Sequence, residues 1–345
     1  MRIKHFKIRG FRNLKNLSLD FSSQKNLIYG LNGAGKTSIL ESFFVIGFGK
    51  SFLKVKKADM VNYDMDSFSI YLNVETGNTE NDLSAIYEKS DFNLFLNDKK
   101  SNIFEMSDYF YPVFFSSSNY NRNIDSITAL RKMVNRFIFG VRPLYIHYIL
   151  SYNKNVKQKN FLLKTKKNVL ELRSWNKSIS EMSEKIVQNR VEFIEKLNHE
   201  IQKKFRHALS ITYTPSFNTD KGISKDIFFQ QLDQLTELEM KNQKSMIGPH
   251  LDGYELVLNS KNLKFYSSGE RKLYLLMIYI AFIELFRNLK NQYPVFLVDD
   301  FDTTFDKKNI DFLIDNYPDM QVIASSVNKN EDFNRLIELK KEKIE

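Results

Sequence analysis

Residues 30–37 read GLNGAGKT, and they stand between an apolar run at 25–29 and a segment, 37–48, whose apolar residues recur at helical spacing. The stretch matches G-x-x-x-x-G-K-[ST] at every defined position. Glycines let backbone N–H groups turn inward around phosphate oxygens, and the N-terminus of the following helix adds a favourable dipole. A strand, a glycine-rich loop and a helix in this order therefore predict a site for nucleotide phosphates.

Two side chains of this loop have distinct predicted roles. Lys36 supplies a point charge for the β- and γ-phosphates, and Thr37 offers its hydroxyl to Mg²⁺. The predicted cofactors are therefore ATP and Mg²⁺. The residues expected to bind the nucleotide here are Gly30, Leu31, Asn32, Gly33, Ala34, Gly35, Lys36, Thr37 and Ser38.

An acidic strand end far along the chain complements the loop. Residues 294–300 read PVFLVDD, an apolar strand that ends in two carboxylates. If this strand lies beside the phosphate loop, Asp299 joins Thr37 as a ligand of Mg²⁺, and Asp300 stands near the attacking water as the catalytic base. Many buried strands end in acidic residues, so the prediction depends on the loop.

The third motif is the start of a helix. Ser267-Ser268-Gly269-Glu270 is a capping box, which explains these residues locally, but an exposed Ser and Gly at a helix N-terminus can also bind phosphate. The helix 268–289 is about 33 Å long, whereas the strand it leads into is about 17 Å long. Its N-terminus would therefore extend past its own nucleotide, which leaves Ser267 and Gly269 able to bind a phosphate from outside their own site.

Composition limits the classes of protein that remain. The 345 residues include no cysteine, which excludes a disulfide scaffold, cysteine-ligated zinc and thiol catalysis. No window offers the long uncharged apolar run of a membrane span, so we expect no membrane association and a cytoplasmic protein. The formal net charge of +10 favours a polyanionic partner such as DNA, although heavy use of lysine throughout the chain is an alternative explanation.

The order of patterns along the chain predicts an α/β fold interrupted by an insert. Short strands are expected within 68–95, a helical pattern fills 121–207, and strand-like segments return at 211–213 and 254–258. Helices then alternate with apolar strands, which indicates a largely parallel sheet. We divide the chain into residues 1–120, a helical lobe at 121–207, and residues 208–345.

The three motifs in this order resemble the ABC-type ATPases of the SMC/RecF class, and further segments are similar to the RecF family within it. GFRNL at 10–14 is similar to that family's first-hairpin pattern, and QKNFLLK at 158–164 is similar to its Gln-Arg-Asn-x-Leu-Leu-Lys run. Gly248-Pro249-His250 and a D-loop at residues 303–306 follow in the family's order. Each small motif is weak, but the ordered set is specific and covers nearly the whole chain.

The resemblance implies an ABC-type P-loop ATPase head, formed from both chain ends, with an inserted helical lobe. It further implies weak, DNA-stimulated ATP hydrolysis in an ATP-induced homodimer, gap repair and replication maintenance at DNA with single-strand/double-strand junctions, and partners of the RecO and RecR type. It adds Arg12 to the expected nucleotide contacts. The candidate DNA contacts are Arg131, Lys132, Lys159 and Lys164.

Departures from the family pattern concern the rate of hydrolysis more than nucleotide binding. Glu270 stands where the family has Gln, no Gln follows 111–115 where a Q-loop is expected, and Asn119 is the nearest amide. No histidine follows Asp300, and Ser325 or Ser326 occupies the switch region. Two alternatives remain open: a defence-related or structural relative that binds nucleotide with little turnover, and a transporter ATPase subunit, against which the insert and the missing histidine argue.

Overall fold

The structure is a computed structural model, and it describes residues 1–116, 124–165, 168–205, 208–304 and 316–340. The chain forms two compact units. One contains residues 1–120 and 283–345, and the other contains residues 121–282. The first unit therefore combines the two ends of the chain around an insert.

A six-stranded antiparallel sheet occupies the N-terminal part of the first unit. Its strands alternate buried and exposed positions, the pattern of a sheet with one face against a core. The alternation in the first eleven residues predicted its first strand. The strands are β1 (Arg2–Phe11), β2 (Leu14–Asp20), β4 (Phe68–Thr76), β5 (Thr79–Glu88), β6 (Asp91–Leu96) and β7 (Lys99–Ser101), in the order β2-β1-β4-β5-β6-β7.

The second sheet of this unit has five strands and is parallel throughout, as the sequence predicted for the closing block. Its central strands are continuous apolar runs, because both faces of a parallel sheet are covered. The strands are β3 (Lys25–Tyr29), β8 (Pro112–Ser116), β12 (Val295–Asp299), β13 (Val322–Ser326) and β14 (Arg335–Glu338), in the order β14-β3-β13-β12-β8.

Helix α1 (Lys36–Phe48) lies between the two sheets, because it contacts β5 of the antiparallel sheet and β8, β12 and β13 of the parallel one. Its residues are buried on nearly every side, as expected for a helix that is apolar all round. The Phe43 ring meets Phe6 of β1 edge-on with centroids 4.9 Å apart. This burial fixes the loop that enters α1. The described part of this unit also contains the shorter helical segments Ala58–Met60, α2 (Ile103–Met106) and α9 (Phe301–Thr304).

The second unit is mainly helical and has a small sheet of its own. Helices α4 and α5 pack against each other, and α5 also packs on α6 and on strand β9. A short 3₁₀ turn, Leu263–Phe265, follows the sheet. The elements are α3 (Ile127–Val141), α4 (Tyr145–Thr165), α5 (Val169–Phe205), β9 (Leu209–Thr214), α6 (Lys225–Gln234), α7 (Thr236–Asn242), β10 (Gly253–Leu258) and β11 (Lys261–Asn262).

The insert ends later than its predicted boundary at residue 207. The strand-like segments beyond that point were assigned to the ATPase head, but β9 pairs with β10 in an antiparallel ladder, and β9 packs on α5. Their burial partners are therefore the helices of the lobe, and the compact unit continues to Phe282. Helix α8 (Ser268–Lys290) begins in this unit and ends in the first one. Within the described ranges, no helix combines the length and apolar content needed to cross a bilayer.

Candidate nucleotide-binding site

The phosphate loop requires glycine at two of its turns. Gly30 has φ 150° and Gly35 has φ 102°, both in the region that side chains rarely adopt. A Cβ at Gly30 would lie 2.3 Å from the Leu339 carbonyl oxygen, and a Cβ at Gly35 would lie 2.6 Å from the Leu14 side chain. The backbone can therefore take this path, between β3 and α1, only without side chains at these positions.

Lys36 is buried at the first turn of α1, and its ammonium is held by the loop itself. Its Nζ donates to the carbonyl oxygens of Gly30 (2.7 Å) and Leu31 (3.1 Å). No carboxylate in the described part of the chain forms an ion pair with it. The positive charge is thus positioned by neutral acceptors, and it remains available to an anion that the loop would bind.

Thr37 and Asp299 meet although 262 positions separate them in the chain. The Thr37 hydroxyl donates to the two carboxylate oxygens of Asp299 at 3.0 and 3.3 Å. Strand β12 delivers Asp299, and β13 lies between β12 and β3, the strand that feeds the loop. The two predicted metal ligands therefore lie together at the carboxyl edge of the parallel sheet, where such folds bind their ligands.

Burial controls the protonation of Asp299. Removal from water raises the pKa of this carboxyl, the neighbouring Asp300 charge raises it further, and donation from Ser325 and Thr37 partly opposes the shift. The Ser325 hydroxyl donates to Asp299 Oδ1 at 2.6 Å. A carboxylate that is costly to hold charged gains from a cation beside it, so this corner suits a divalent ion.

The donor set at this corner fits Mg²⁺. A hydroxyl and a carboxylate are hard oxygen ligands, which this ion prefers. Among the described residues no cluster of three or more His, Asp or Glu side chains could hold a metal unaided. Mg²⁺ at Thr37 and Asp299 would therefore take its other ligands from nucleotide oxygens and water, which is how Mg²⁺ commonly binds in nucleotide-dependent enzymes.

Asp300 occupies a sharp bend at the end of β12. Its φ is 51°, and its backbone N–H donates to the Ser325 hydroxyl at 3.0 Å. Ser325 thus holds both acidic residues, since it donates to one carboxylate and accepts from the next backbone amide. From the sequence Ser325 was recognisable only as an occupant of the switch region, because its contact with β12 depends on the pairing of β12 with β13.

Asn13 is a site residue that belongs to the hairpin pattern at 10–14 but had no predicted role. Its side-chain amide donates to the Gly33 carbonyl at 3.0 Å, and its oxygen accepts from the Ser38 hydroxyl at 2.9 Å. It lies in the tight turn between β1 and β2 and joins the middle of the phosphate loop to the first turn of α1. Only its place in the hairpin pattern at 10–14 could have drawn attention to it.

Arg12, predicted to contact the nucleotide, lies in the turn between β1 and β2, and its side chain reaches helix α1. Its Nε and Nη2 donate to the two carboxylate oxygens of Glu41 at 2.9 and 2.6 Å, and its Nη1 donates to the Asp59 carbonyl at 2.9 Å. The Ser51 hydroxyl also donates to Glu41, which is buried. All three guanidinium nitrogens therefore have protein acceptors, and the role of Arg12 toward nucleotide stays a prediction.

The start of α8 shows the capping box that its sequence predicted. Ser267 N and Oγ both donate to Glu270 Oε2, at 3.0 and 2.6 Å, and Glu270 N approaches Ser267 Oγ at 3.4 Å. These bonds lower the pKa of the exposed Glu270 carboxyl. A Cβ at Gly269 would meet nothing within 4 Å. Glu270 is thus turned onto its own helix cap, where its charge is held by the donors of Ser267.

The candidate DNA contacts have different environments. Lys159 is fully buried and forms an ion pair with the buried Glu239 at 2.5 Å, so its prediction as a DNA contact is wrong. It sits on the inner face of α4, where only a paired charge is tolerated. Arg131 is half-buried and donates to the Asp252 carbonyl at 2.9 Å, whereas Lys132 and Lys164 are exposed. Only the latter two present their side chains to solvent.

The Gly248-Pro249-His250 motif belongs to a buried polar network. Asp252 accepts from Arg190 Nη1 and the Tyr213 hydroxyl, each at 2.5 Å, and Arg190 also donates to the Pro249 carbonyl at 2.8 Å. Burial lowers the pKa of His250 to about 4, so this ring is neutral at pH 7. The motif therefore secures the interior of the second unit.

Two predicted elements lie outside the described residues. Asn119, the amide nearest to the expected Q-loop, is not described. The predicted D-loop at 303–306 is described only to residue 304. The portion of that loop that is described forms α9, where Asp302 accepts from the backbone N–H groups of Val327 and Asn328 at 3.2 and 3.1 Å. Asp302 thus ties the start of the D-loop to the turn after β13.

Comparison with known proteins places this site in a family. The RecF/RecN/SMC N-terminal domain family matches residues 2–343. The DNA replication and repair protein RecF of Acetivibrio thermocellus is 31% identical over 95% of this chain and 94% of its own length. The chain belongs to the RecF family.

Solved structures with the same fold agree with this RecF-family assignment. The recombination mediator protein RecF with ATP, of the RecFOR pathway, has a TM-score of 0.88 at 24% identity, covering 96% of this chain and 93% of that one. The Smc head domain of Pyrococcus furiosus, bound to the C-terminal domain of ScpA, has a TM-score of 0.53 at 15% identity, covering 99% and 94%. The RecF-family chain therefore has the fold of an ABC-type P-loop ATPase head, as its motifs predicted.

Proposed function

We propose that this chain is an ATP-dependent DNA-binding protein of recombinational gap repair and replication maintenance. The observation that carries the proposal is the Thr37–Asp299 contact, which brings a phosphate loop and an acidic strand end together where ATP and Mg²⁺ would bind. Membership of the RecF family supports the DNA role, because its curated relatives are DNA replication and repair proteins. The net charge of +10 suits a polyanionic partner.

In the proposed reaction the chain's own residues position ATP and one water. The backbone of residues 30–35 and the Lys36 ammonium would bind the phosphates, while Thr37 and Asp299 would hold Mg²⁺, whose charge neutralises the phosphate oxygens. Asp300, held at the end of β12 by Ser325, would orient the attacking water and accept its proton. Hydrolysis would be slow and stimulated by DNA.

The proposed active species is a homodimer that forms on ATP. The exposed helix start at Ser267 and Gly269, with Glu270 turned back on its cap, would meet the γ-phosphate held by a second copy. Two such contacts related by symmetry would make ATP part of the dimer interface. The proposed DNA substrate has a single-strand/double-strand junction, and the proposed protein partners are of the RecO and RecR type, by analogy with the RecFOR pathway of its solved relative.

A DNA-binding experiment tests this function. Junction, single-stranded and duplex DNA of equal length would be titrated in gel shifts with ATP, with ADP and without nucleotide. We expect ATP to increase affinity and the junction to bind most tightly. Lys36→Met should lose the ATP effect only. DNA binding that is absent with every nucleotide and substrate would contradict the proposal.

A further inference from the structure

One face of helix α4 is exposed and basic, with apolar side chains between its lysines. Leu150, Lys154, Lys157, Phe161 and Lys164 follow one another at spacings of four, three, four and three residues, which places them in one stripe. All five side chains are exposed, and Leu150 and Phe161 are each 57% exposed. We call these five residues the basic α4 stripe. The buried residues of α4, including Tyr152 and Val156, lie on its opposite face.

The charge of this stripe has no compensation on its helix. Residues 145–165 contain no Asp or Glu, and no described carboxylate pairs with Lys154, Lys157 or Lys164. The adjacent helix α5 differs, because its lysines alternate with glutamates, and Lys185 lies 3.7 Å from Glu184. A row of unpaired lysines on a helix without acids produces a local positive potential that attracts a polyanion.

We propose that the basic α4 stripe binds single-stranded DNA. Lys154, Lys157 and Lys164 would contact successive phosphates over about 15 Å of helix, at about 1.5 Å per residue. Phe161, between the last two lysines, would stack on an unpaired base. The proposal rests on the proposed DNA-binding function and assigns part of it to a surface that the ATP site does not include.

The apolar residues distinguish single strands from other occupants. Duplex DNA stacks its bases internally, so an exposed phenyl ring would gain little from it, whereas single-strand sites combine basic grooves with aromatic platforms. A second copy that docked through the same stripe would bring its three lysines against these three, and like charges at close range repel. Charge and exposed ring together therefore favour a single strand.

A matched pair of triple variants tests the lysines. Lys154→Gln/Lys157→Gln/Lys164→Gln removes three charges from the stripe, and Lys177→Gln/Lys185→Gln/Lys196→Gln removes three exposed charges from α5, where glutamates are interspersed. Fluorescence anisotropy with a labelled oligonucleotide across a salt series would measure both. The stripe variant should lose affinity roughly tenfold to a hundredfold, and its log–log salt slope should fall by about 2, since each lost phosphate contact removes about 0.7. The α5 variant should retain most of its DNA affinity and most of its salt slope.

A second pair separates base stacking from apolar contact. Phe161→Ala should weaken single-strand binding about tenfold and leave duplex binding unchanged, while Leu170→Ala, which removes an exposed apolar side chain of α5 outside the stripe, should change neither. Wild-type affinity in the stripe variant, or in Phe161→Ala, would overturn the proposal. So would weakened self-association of Phe161→Ala with its DNA affinity intact, measured by light scattering. Failure of the wild type to bind any DNA would instead contradict the proposed function.

Discussion

The phosphate loop and the start of helix α8 are both glycine-containing helix N-termini, yet their surroundings differ. The loop is locked by its own unit: Lys36 is buried against loop carbonyls, and Thr37 contacts a carboxylate from the other end of the chain. The start of α8 is exposed at every residue from Ser267 to Glu270, and Ser267 bonds to Glu270 of the same cap. The first is organised for a ligand by tertiary contacts, whereas the cap of the second is held by hydrogen bonds between near neighbours.

The largest expected effect is at the loop. Lys36→Met should reduce ATP affinity by more than a hundredfold, because it removes the buried charge that the β- and γ-phosphates would neutralise. Titration calorimetry measures this directly. Lys56→Met, which removes an exposed lysine of the same unit, is the control and should bind ATP normally. Equal ATP affinity in the two variants would mean that the loop does not bind phosphate.

The corresponding change at α8 should separate binding from assembly. Ser267→Arg should leave ATP binding by the monomer intact and block ATP-dependent dimerisation and turnover, since a large cation would occupy the expected subunit contact. Light scattering with a slowly hydrolysed ATP analogue is the measurement. Ser267→Ala, which removes the hydroxyl without adding bulk or charge, should cost about 1 kcal/mol of stability and weaken dimerisation less than Ser267→Arg does. If Ser267→Arg dimerises like the wild type, this motif is an ordinary helix cap.

Hydrolysis should depend on the bend at the end of β12. Asp300→Asn should lower turnover by about a hundredfold or more and leave ATP bound, because an amide cannot accept a proton from water. Single-turnover measurements with radiolabelled ATP would separate binding from chemistry. Asp319→Asn, at an exposed position of the same unit, is the control. Normal turnover in Asp300→Asn would place the base elsewhere.

Asn13 should show how far the rigidity of the loop matters. Asn13→Ala removes two hydrogen bonds, to Gly33 and Ser38, each worth about 1 kcal/mol at most in net terms. We expect ATP affinity to fall by about tenfold, with the melting temperature nearly unchanged. The Asn13→Asp variant can still accept a hydrogen bond from the Ser38 hydroxyl. Its ATP affinity should lie between those of the wild type and Asn13→Ala. Wild-type affinity in Asn13→Ala would indicate that the loop holds its shape unaided.

The smallest predicted effect concerns stability. Because burial raises the pKa of Asp299, the folded protein takes up a proton here more readily than the unfolded chain, and the group contributes less stability as pH rises. Asp299→Asn should therefore raise the melting temperature at pH 8 by a few degrees without nucleotide, and by less at pH 5. The same variant should weaken Mg²⁺-dependent ATP binding. A lower melting temperature at pH 8 would show that its hydrogen bonds to Thr37 and Ser325 outweigh the cost of burial.

The sequence by itself determined the parts whose causes are local. The loop at 30–37, the apolar strands at 25–29 and 295–299 and the cap at Ser267 follow from glycine conformation, apolar continuity and hydrogen bonds between near neighbours. Each of these features depends only on residues that are close together in the chain. The sequence therefore predicts both the feature and the residues that form it. The resemblance to the RecF family then indicated that these motifs assemble into one ATPase head.

Contacts between distant segments were decided only by the tertiary structure. Pairing of β9 with β10, rather than with the parallel sheet, extended the insert to Phe282, because two strand-like segments can pair with any free edge until packing selects one. Lys159 is buried and paired with Glu239, whereas Lys164 on the same helix is exposed. The basic sequence around these two lysines did not distinguish them. Strand order likewise brought Ser325 onto Asp299, since a residue's neighbours across a sheet depend on topology and register, which local sequence does not specify.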